Sequence, residues 1–143
     1  MTDSATNPSY LLRCPSARTT SVVFASPHSG RNYPASFLRK IVLDEMQVRS
    51  SEDAFVDDLF QSAVDHGAPL LLAQSPRAYL DLNRGPDELD PAVIDGVRRI
   101  AHNPRIASGL GVIPRVVSNG RAIYSGKLTL SEAHERISSV WRP

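Results

Sequence analysis

The sequence predicts an α/β layered fold, and three observations carry that expectation. Short apolar runs at Val22-Val23-Phe24-Ala25 and at Pro69-Leu-Leu-Leu-Ala73 are bounded by turn residues and read as buried strands. Between them, from about Glu52 to His66, the apolar residues step by three and four, as on one helix face. Strands and helices that alternate along one chain pack as layers. The 143 residues suffice for a core, and 41% hydrophobic with 22% charged residues is a globular composition.

Residues 1–20 are polar, carry Pro8 and Pro15, and read as a loosely ordered lead-in, with Tyr10-Leu11-Leu12 the portion to be pinned to the body. The body then spans residues 21–143. Its first strand begins at Ser21 and gives way to the turn Pro27-His28-Ser29-Gly30. Pro34 introduces a short helix, about Ala35 to Lys40. Ser50 or Ser51 can cap the helix from Glu52, and its stripe is Phe55, Val56, Leu59, Phe60, Ala63 and Val64. Acids crowd its first turn and Gly67 stands in the C′ position.

After the strand at 69–73, Arg77-Ala-Tyr-Leu-Asp-Leu82 alternates and reads as a third strand. Residues 83–91 form a polar loop. A weak helix is expected over 92–99, interrupted by Asn103-Pro104, and Gly109-Leu-Gly111 is a flexible point. Residues 112–117 read as a strand moved toward a sheet edge by Pro114, Ser118-Asn119-Gly120-Arg121 as a hairpin turn, and 122–124 as the returning strand. Thr129 and Glu132 make a capping box for the last helix, whose apolar face is Leu130, Ala133, Ile137, Val140 and Trp141.

Composition excludes several classes of partner. A net charge of +1 offers no basic field for nucleic acid or an anionic membrane. No apolar run has the length of a membrane span. Cys14 is the sole cysteine, so no internal disulfide forms, and nothing beside it in sequence would activate a thiol. The first eight residues lack the apolar core of a signal peptide, so a cytoplasmic protein is expected. No glycine-rich phosphate loop is present.

Two groups of residues could carry chemistry. His28 stands just past the carboxyl end of a strand, the edge at which α/β sheets bind ligands. Glu52 and Asp53 open the long helix, and such helix starts gather at that same edge. An imidazole with a carboxylate is part of a catalytic zinc site, which takes three protein ligands and leaves one position for water. Asp57, one turn further on, could orient a ligand from behind. The plain alternative is a turn histidine bonded to backbone beside solvated acids. His66 lies thirteen residues beyond Asp53, about 20 Å along a helix, and suits the helix C-terminus instead. His102 and His134 have no partner at ligand spacing. The second group is Arg77, Asp81, Asn83 and Arg84, suited to gripping a carboxylate, with Arg115 and Arg121 as further contributors. Its plain alternative is an Arg77–Asp81 pair beside a solvated loop.

With these residues in view, the chain resembles the N-formylglutamate amidohydrolase family. The resemblance rests on Ser26-Pro-His-Ser-Gly-Arg31, Ser51-Glu-Asp-Ala-Phe-Val-Asp-Asp-Leu59, Arg77-Ala-Tyr-Leu-Asp-Leu-Asn-Arg84, Gly111-Val-Ile-Pro-Arg115 and the segment from Ile123-Tyr124 to Trp141. It implies a zinc-dependent hydrolase related to carboxypeptidase-like enzymes, with a three-layer α/β/α sandwich around a mixed sheet. The implied substrate is an N-acyl acidic amino acid, typically N-formyl-L-glutamate cleaved to formate and glutamate. It also implies His28 and Asp53 as zinc ligands, with Glu52 as the fallback, and Asn83 and Arg84 as a carboxylate-gripping pair. Arg77 joins that pair, and Arg115 is a candidate oxyanion or substrate contact. Family members extend to roughly twice this length, so the fold here is expected to be incomplete. The last zinc histidine and the general base are expected outside these residues.

Two other functions compete with that reading. One is a non-catalytic fragment that associates with itself or with another polypeptide through an exposed apolar sheet edge and helix face. The other is the same hydrolysis directed at a different N-acyl amino acid or peptide.

Overall fold

Three short strands form the sheet that positions the site. The computed structural model describes residues 8–98 and 103–143. Strand β1 is Tyr10–Arg13, β2 is Phe24–Ser26 and β3 is Leu70–Ala73. Their order is β1-β3-β2, with β1 antiparallel and β2 parallel to β3, so the sheet is mixed. The helical segments are short: α1 Ala35–Leu38, α2 Glu45–Arg49, α3 Val56–Leu59, a 3-10 helix Gln61–His66, α4 Pro104–Ala107 and α5 Leu130–Arg136. Helices with a mixed sheet make this an α/β fold. No described helix is long and apolar enough to cross a membrane.

The sheet has two unlike faces. Phe24, Leu70 and Leu72 point to the face packed by Ala63, Val64 and Ala68. Across the other face the register sets Leu12 beside Leu71 and Leu71 beside Ala25, all three exposed. The larger core lies elsewhere. It gathers Phe37, Val48, Leu80, Val112, Ile113, Ile123 and Ala133 from loops and short helices.

Several elements differ from expectation, each for a local reason. Within the lead-in, Tyr10-Leu11-Leu12 is pinned to the body as expected, and as a strand: with Arg13 it pairs along the whole of β3. The strand expected from Ser21 starts three residues later, and Val22 and Val23 stay outside it, exposed. The helix expected over 52–66 is broken. Asp53 N–H donates to the His28 carbonyl (3.0 Å), tying this turn to the end of β2. The chain then reverses through Phe55 at φ 65°, a left-handed conformation that bulky residues rarely adopt. Phe55, Leu59 and Phe60 are therefore exposed, and of the stripe only Ala63 is fully buried. Gly67, at φ 75°, closes the 3-10 helix as a C-cap.

Ser50 caps no long helix, since it ends α2, which starts at a reciprocal Asp44–Gln47 capping box. Residues 77–82 are not a strand: Pro76 opens a helical turn whose carbonyl accepts from Tyr79 and Leu80 N–H groups. Residues 92–98 form turns around Gly96 (φ 83°), and the end of the expected helix at Arg99 lies outside the described residues, as does His102. Asn103, read as a break, instead caps α4 through its side chain. The hairpin turn at 118–121 forms, but around a single bridge, Val116 to Ala122. Tyr124 bridges to Ile41 instead, and Val112 and Ile113 enter the core.

The last helix starts at Thr129, buries Ala133, Ile137 and Val140, and continues as one wide π turn to Trp141. Arg136 on this helix is 2% exposed. It donates to Tyr124 Oη (2.8 Å), Glu132 (2.9 Å) and the Tyr79 carbonyl (3.3 Å). Its guanidinium also lies 4.4 Å from the centre of the Tyr79 ring.

Candidate active site

The turn after β2 places His28. Ser26 Oγ and Ser29 Oγ share a buried hydrogen bond of 2.7 Å across it. Gly30 lies so close to the end of β3 that an added Cβ would stand 2.2 Å from the Ser75 carbonyl oxygen. A side chain there would force the turn off the sheet. Asn32 N–H then donates to the Gln74 carbonyl (3.0 Å) and fixes the exit. His28 is left at the strand tip, 6% exposed.

Its imidazole sits between two carboxylates. Nε2 is 2.8 Å from Asp81 Oδ1, and Nδ1 is 3.3 Å from Asp53 Oδ2. Asp81 is buried, while the Asp53 side chain is half exposed. Asp81 is the hub of the site. Its Oδ1 also accepts from Asn83 N–H (2.9 Å), and its Oδ2 from Arg77 Nε (3.1 Å). Burial works to raise the pKa of this carboxyl. The hydrogen bonds from His28 and the Asn83 amide, with the Arg77 charge, outweigh burial and hold it at about 2. The two groups of residues seen in the sequence thus form one site, joined through Asp81.

This arrangement fixes the histidine's proton. An ionised Asp81 only accepts, so the imidazole N–H is on Nε2. Nδ1 then presents a lone pair to Asp53, which is also an acceptor, and a proton or a cation must stand between them. Zinc bonds of about 2.0–2.2 Å at a tetrahedral angle set two ligand atoms about 3.3–3.5 Å apart. The Nδ1–Oδ2 separation of 3.3 Å fits that requirement. The carboxylate behind Nε2 is the usual support for a metal-binding histidine. Among the described residues no group of three His, Cys, Asp or Glu converges on one point.

Other candidates stand apart from this centre. Glu52 is taken up by the Tyr33 hydroxyl (2.6 Å) and Arg49 (3.2 Å). The Asp57 side chain pairs with Arg31, and among the described residues it has no hydrogen bond to the His28–Asp53 pair. Arg115 is bonded to buried Asp90 (2.9 Å) and to the Ala107 carbonyl, so it braces loops rather than the site. Arg84 spends its guanidinium on the Leu110 carbonyl (2.9 Å) and the Asn83 carbonyl (2.7 Å), with Asp81 at 3.9 Å. Arg121 closes the hairpin turn through its backbone. His66, His134 and Cys14 are exposed and apart from the cluster.

Arg77 is placed differently. Only its Nε is engaged by a side chain among the described residues, and it lines a cavity of about 380 Å³. Asp53, Leu110, Pro114, Val117 and Ser118 line the same cavity. This is the volume of a small-ligand pocket, with a cation and the metal-type carboxylate in its wall.

The sequence reading did not join Asp81 to His28. The signal was present in Asp81-Leu-Asn83, where an aspartate can accept from the amide two residues on and so fix its carboxylate. A separation of 53 positions along the chain gave no reason to pair them.

Comparison with known proteins gives consistent results. No curated protein sequence matches the chain. The crystal structure of N-formylglutamate amidohydrolase from Ralstonia eutropha JMP134 is similar, with a TM-score of 0.86 and 35% sequence identity. The similarity covers 96% of this chain and 49% of that one, so this chain spans about half its length. The family model for N-formylglutamate amidohydrolase matches residues 20–143, a span that holds His28, Asp53, Arg77 and Asp81. The chain belongs to the N-formylglutamate amidohydrolase family.

Proposed function

We propose that this chain carries part of a zinc-dependent amidohydrolase site acting on N-acyl acidic amino acids, with N-formyl-L-glutamate as the typical substrate. The observation that carries the reading is the His28 imidazole held between Asp81 at 2.8 Å and Asp53 at 3.3 Å beside the cavity. His28 Nδ1 and Asp53 Oδ2 would hold the zinc ion. When bound, zinc acidifies water and polarises a carbonyl.

The chain's own residues supply the rest of this half-site. Asp81 keeps the proton on His28 Nε2 and so keeps Nδ1 available. It also holds Arg77 through Nε at the wall of the cavity, where a guanidinium can serve as a fork for a substrate carboxylate. Asn83 is exposed and can add an amide donor, whereas Arg84 supports the loop. Holding the substrate carboxylate sets where the acyl group lies, so binding is converted into orientation. The reading requires a third metal ligand and a general base from polypeptide outside the described residues.

Two measurements test this. Zinc titration of the purified chain should give saturable binding that weakens at least ~10-fold in His28→Ala and in Asp53→Ala. Equal affinity in both variants would remove the metal role. Acyl release from a panel of N-acyl amino acids, by protein containing these residues, should favour acidic side chains. Arg77→Ala should mainly raise KM.

A further inference from the structure

The carboxylate that faces His28 stands on a segment with little packing to hold it. Phe55, Leu59 and Phe60 are exposed, and the Asp53 side chain is half exposed. The segment also passes through the left-handed Phe55, a conformation that persists only where its surroundings enforce it. With so little buried apolar contact, such a segment opens locally at small cost unless polar contacts restrain it. Three contacts supply that restraint, and each reaches the segment from residues 28–33. The His28 carbonyl accepts from Asp53 N–H (3.0 Å). The Tyr33 hydroxyl donates to Glu52 Oε1 (2.6 Å), on a side chain that is 3% exposed and also meets Arg49 Nε at 3.2 Å. Arg31 Nη2 donates to Asp57 Oδ2, and the Arg31 guanidinium lies 5.9 Å from the centre of the Phe55 ring. Asp57 Oδ1 is buried and has no hydrogen-bond partner among the described residues, so this carboxylate depends on Arg31. Glu52 and Asp57 lie on either side of Asp53 along the chain, and the segment is pinned both before and after it.

We propose that Arg31 and Tyr33 are positioning residues, which act through Asp57 and Glu52 to hold Asp53 Oδ2 against His28 Nδ1. The proposal rests on the metal reading of the His28–Asp53 pair. The quantity at stake is the Nδ1–Oδ2 separation of 3.3 Å, and a zinc ion bonded at about 2.0–2.2 Å tolerates little change in it. Asp81 fixes His28 from its far side, so Asp53 is the ligand whose place has to be set. Both anchors belong to the same turn as the imidazole. A shift of that turn therefore carries the two ligands together and keeps their spacing. An ion pair as exposed as Arg31–Asp57 contributes little to global stability, so its loss is read at the site rather than in Tm.

The test uses variants that leave both ligands in place, each checked for folding by circular dichroism. The zinc dissociation constant should rise at least ~10-fold in Arg31→Ala and in Asp57→Asn, and at least ~3-fold in Tyr33→Phe. Arg31→Ala and Asp57→Asn combined should bind no more weakly than the worse single variant, because both remove one interaction. Exchanging the partners, Arg31→Asp with Asp57→Arg, should recover part of the loss. Without zinc, hydrogen exchange at the Asp53 amide should quicken at least ~10-fold in Arg31→Ala, while exchange at the Val112 amide in the larger core stays as in wild type. Lys40→Ala removes a close ion pair with Glu132 away from the site and should change neither readout. The proposal is overturned if the Asp53 amide exchanges at the wild-type rate in Arg31→Ala and Tyr33→Phe, or if the losses from Arg31→Ala and Asp57→Asn add. It is overturned as well if the amide loosens while zinc binding through His28 keeps its affinity. Failure of the metal reading looks different, since His28→Ala then binds zinc as well as wild type. Exchange at the Asp53 amide and its recovery in the partner swap still decide whether the anchors hold that carboxylate.

Discussion

Replacing Asp81 by asparagine isolates the charge that joins the two halves of the site. The amide keeps the side chain's shape and one acceptor for the Asn83 N–H and His28 Nε2–H, but it carries no charge for Arg77. The magnitude follows from linkage. Holding the carboxyl at about 2 instead of its usual 3.8 corresponds to roughly 2 kcal/mol at 1.36 kcal/mol per pH unit. Arg77 is part exposed, so water screens some of this, leaving about 1–2 kcal/mol. With an unfolding entropy near 2.1 cal/mol/K per residue, that lowers Tm by roughly 3–7 °C. The sign sets the pH dependence. A carboxyl whose pKa is depressed on folding contributes fully above its unfolded value, and the contribution fades as pH falls through its folded value. Urea unfolding followed by circular dichroism should show Asp81→Asn less stable than wild type by a constant amount from about pH 5 to 7, with the gap closing between about pH 4 and 2. A gap that stays constant down to about pH 2.5, or no gap at pH 7, would refute the charge argument.

Substitutions at two further positions probe the core and the turn that carries His28. Arg136→Ala leaves the Tyr124 hydroxyl without its partner and empties a cation site among three aromatic rings, so it should cost about 3–5 kcal/mol in urea unfolding. Arg136→Lys should recover only part, because one ammonium cannot serve Tyr124 and Glu132 with the same fork geometry; full recovery would count against that account. Gly30→Ala sets a Cβ against the Ser75 carbonyl and should cost about 3 kcal/mol or more while displacing His28. Zinc affinity should fall with it, and an unchanged Tm would mean that the turn has room the structure does not show.

What could be read from the sequence varies with how local the signal is. The Thr129 cap, the Gly67 C-cap and the turn at Asn119-Gly120 are set by neighbours within four residues, and all three form. The Asp44–Gln47 box is equally local, its two partners three residues apart. The segment 52–66 had a helix's periodicity but not its geometry. One backbone bond to the His28 carbonyl and the reversal at Phe55 override the pattern. The alternation at 77–82 misled for a similar reason, since Pro76 starts a turn and Asp81 faces inward to meet a histidine 53 residues away.

The sequence by itself determined that His28 sits past a strand end, that acids follow at 52–53, and that an Arg-rich turn follows β3. These are consequences of chain order and turn chemistry. Only the tertiary structure decided that Asp81 stands behind the imidazole, that Glu52 is taken up by Tyr33 and Arg49, and that Arg77 lines the cavity while Arg84 is bonded to loop carbonyls. The physical reason is that each of these carboxylates and guanidiniums has several possible partners at similar energy. Which one it takes is fixed by where packing brings distant backbone, through Gly30 against Ser75 and Asp53 against His28, and no local pattern encodes that.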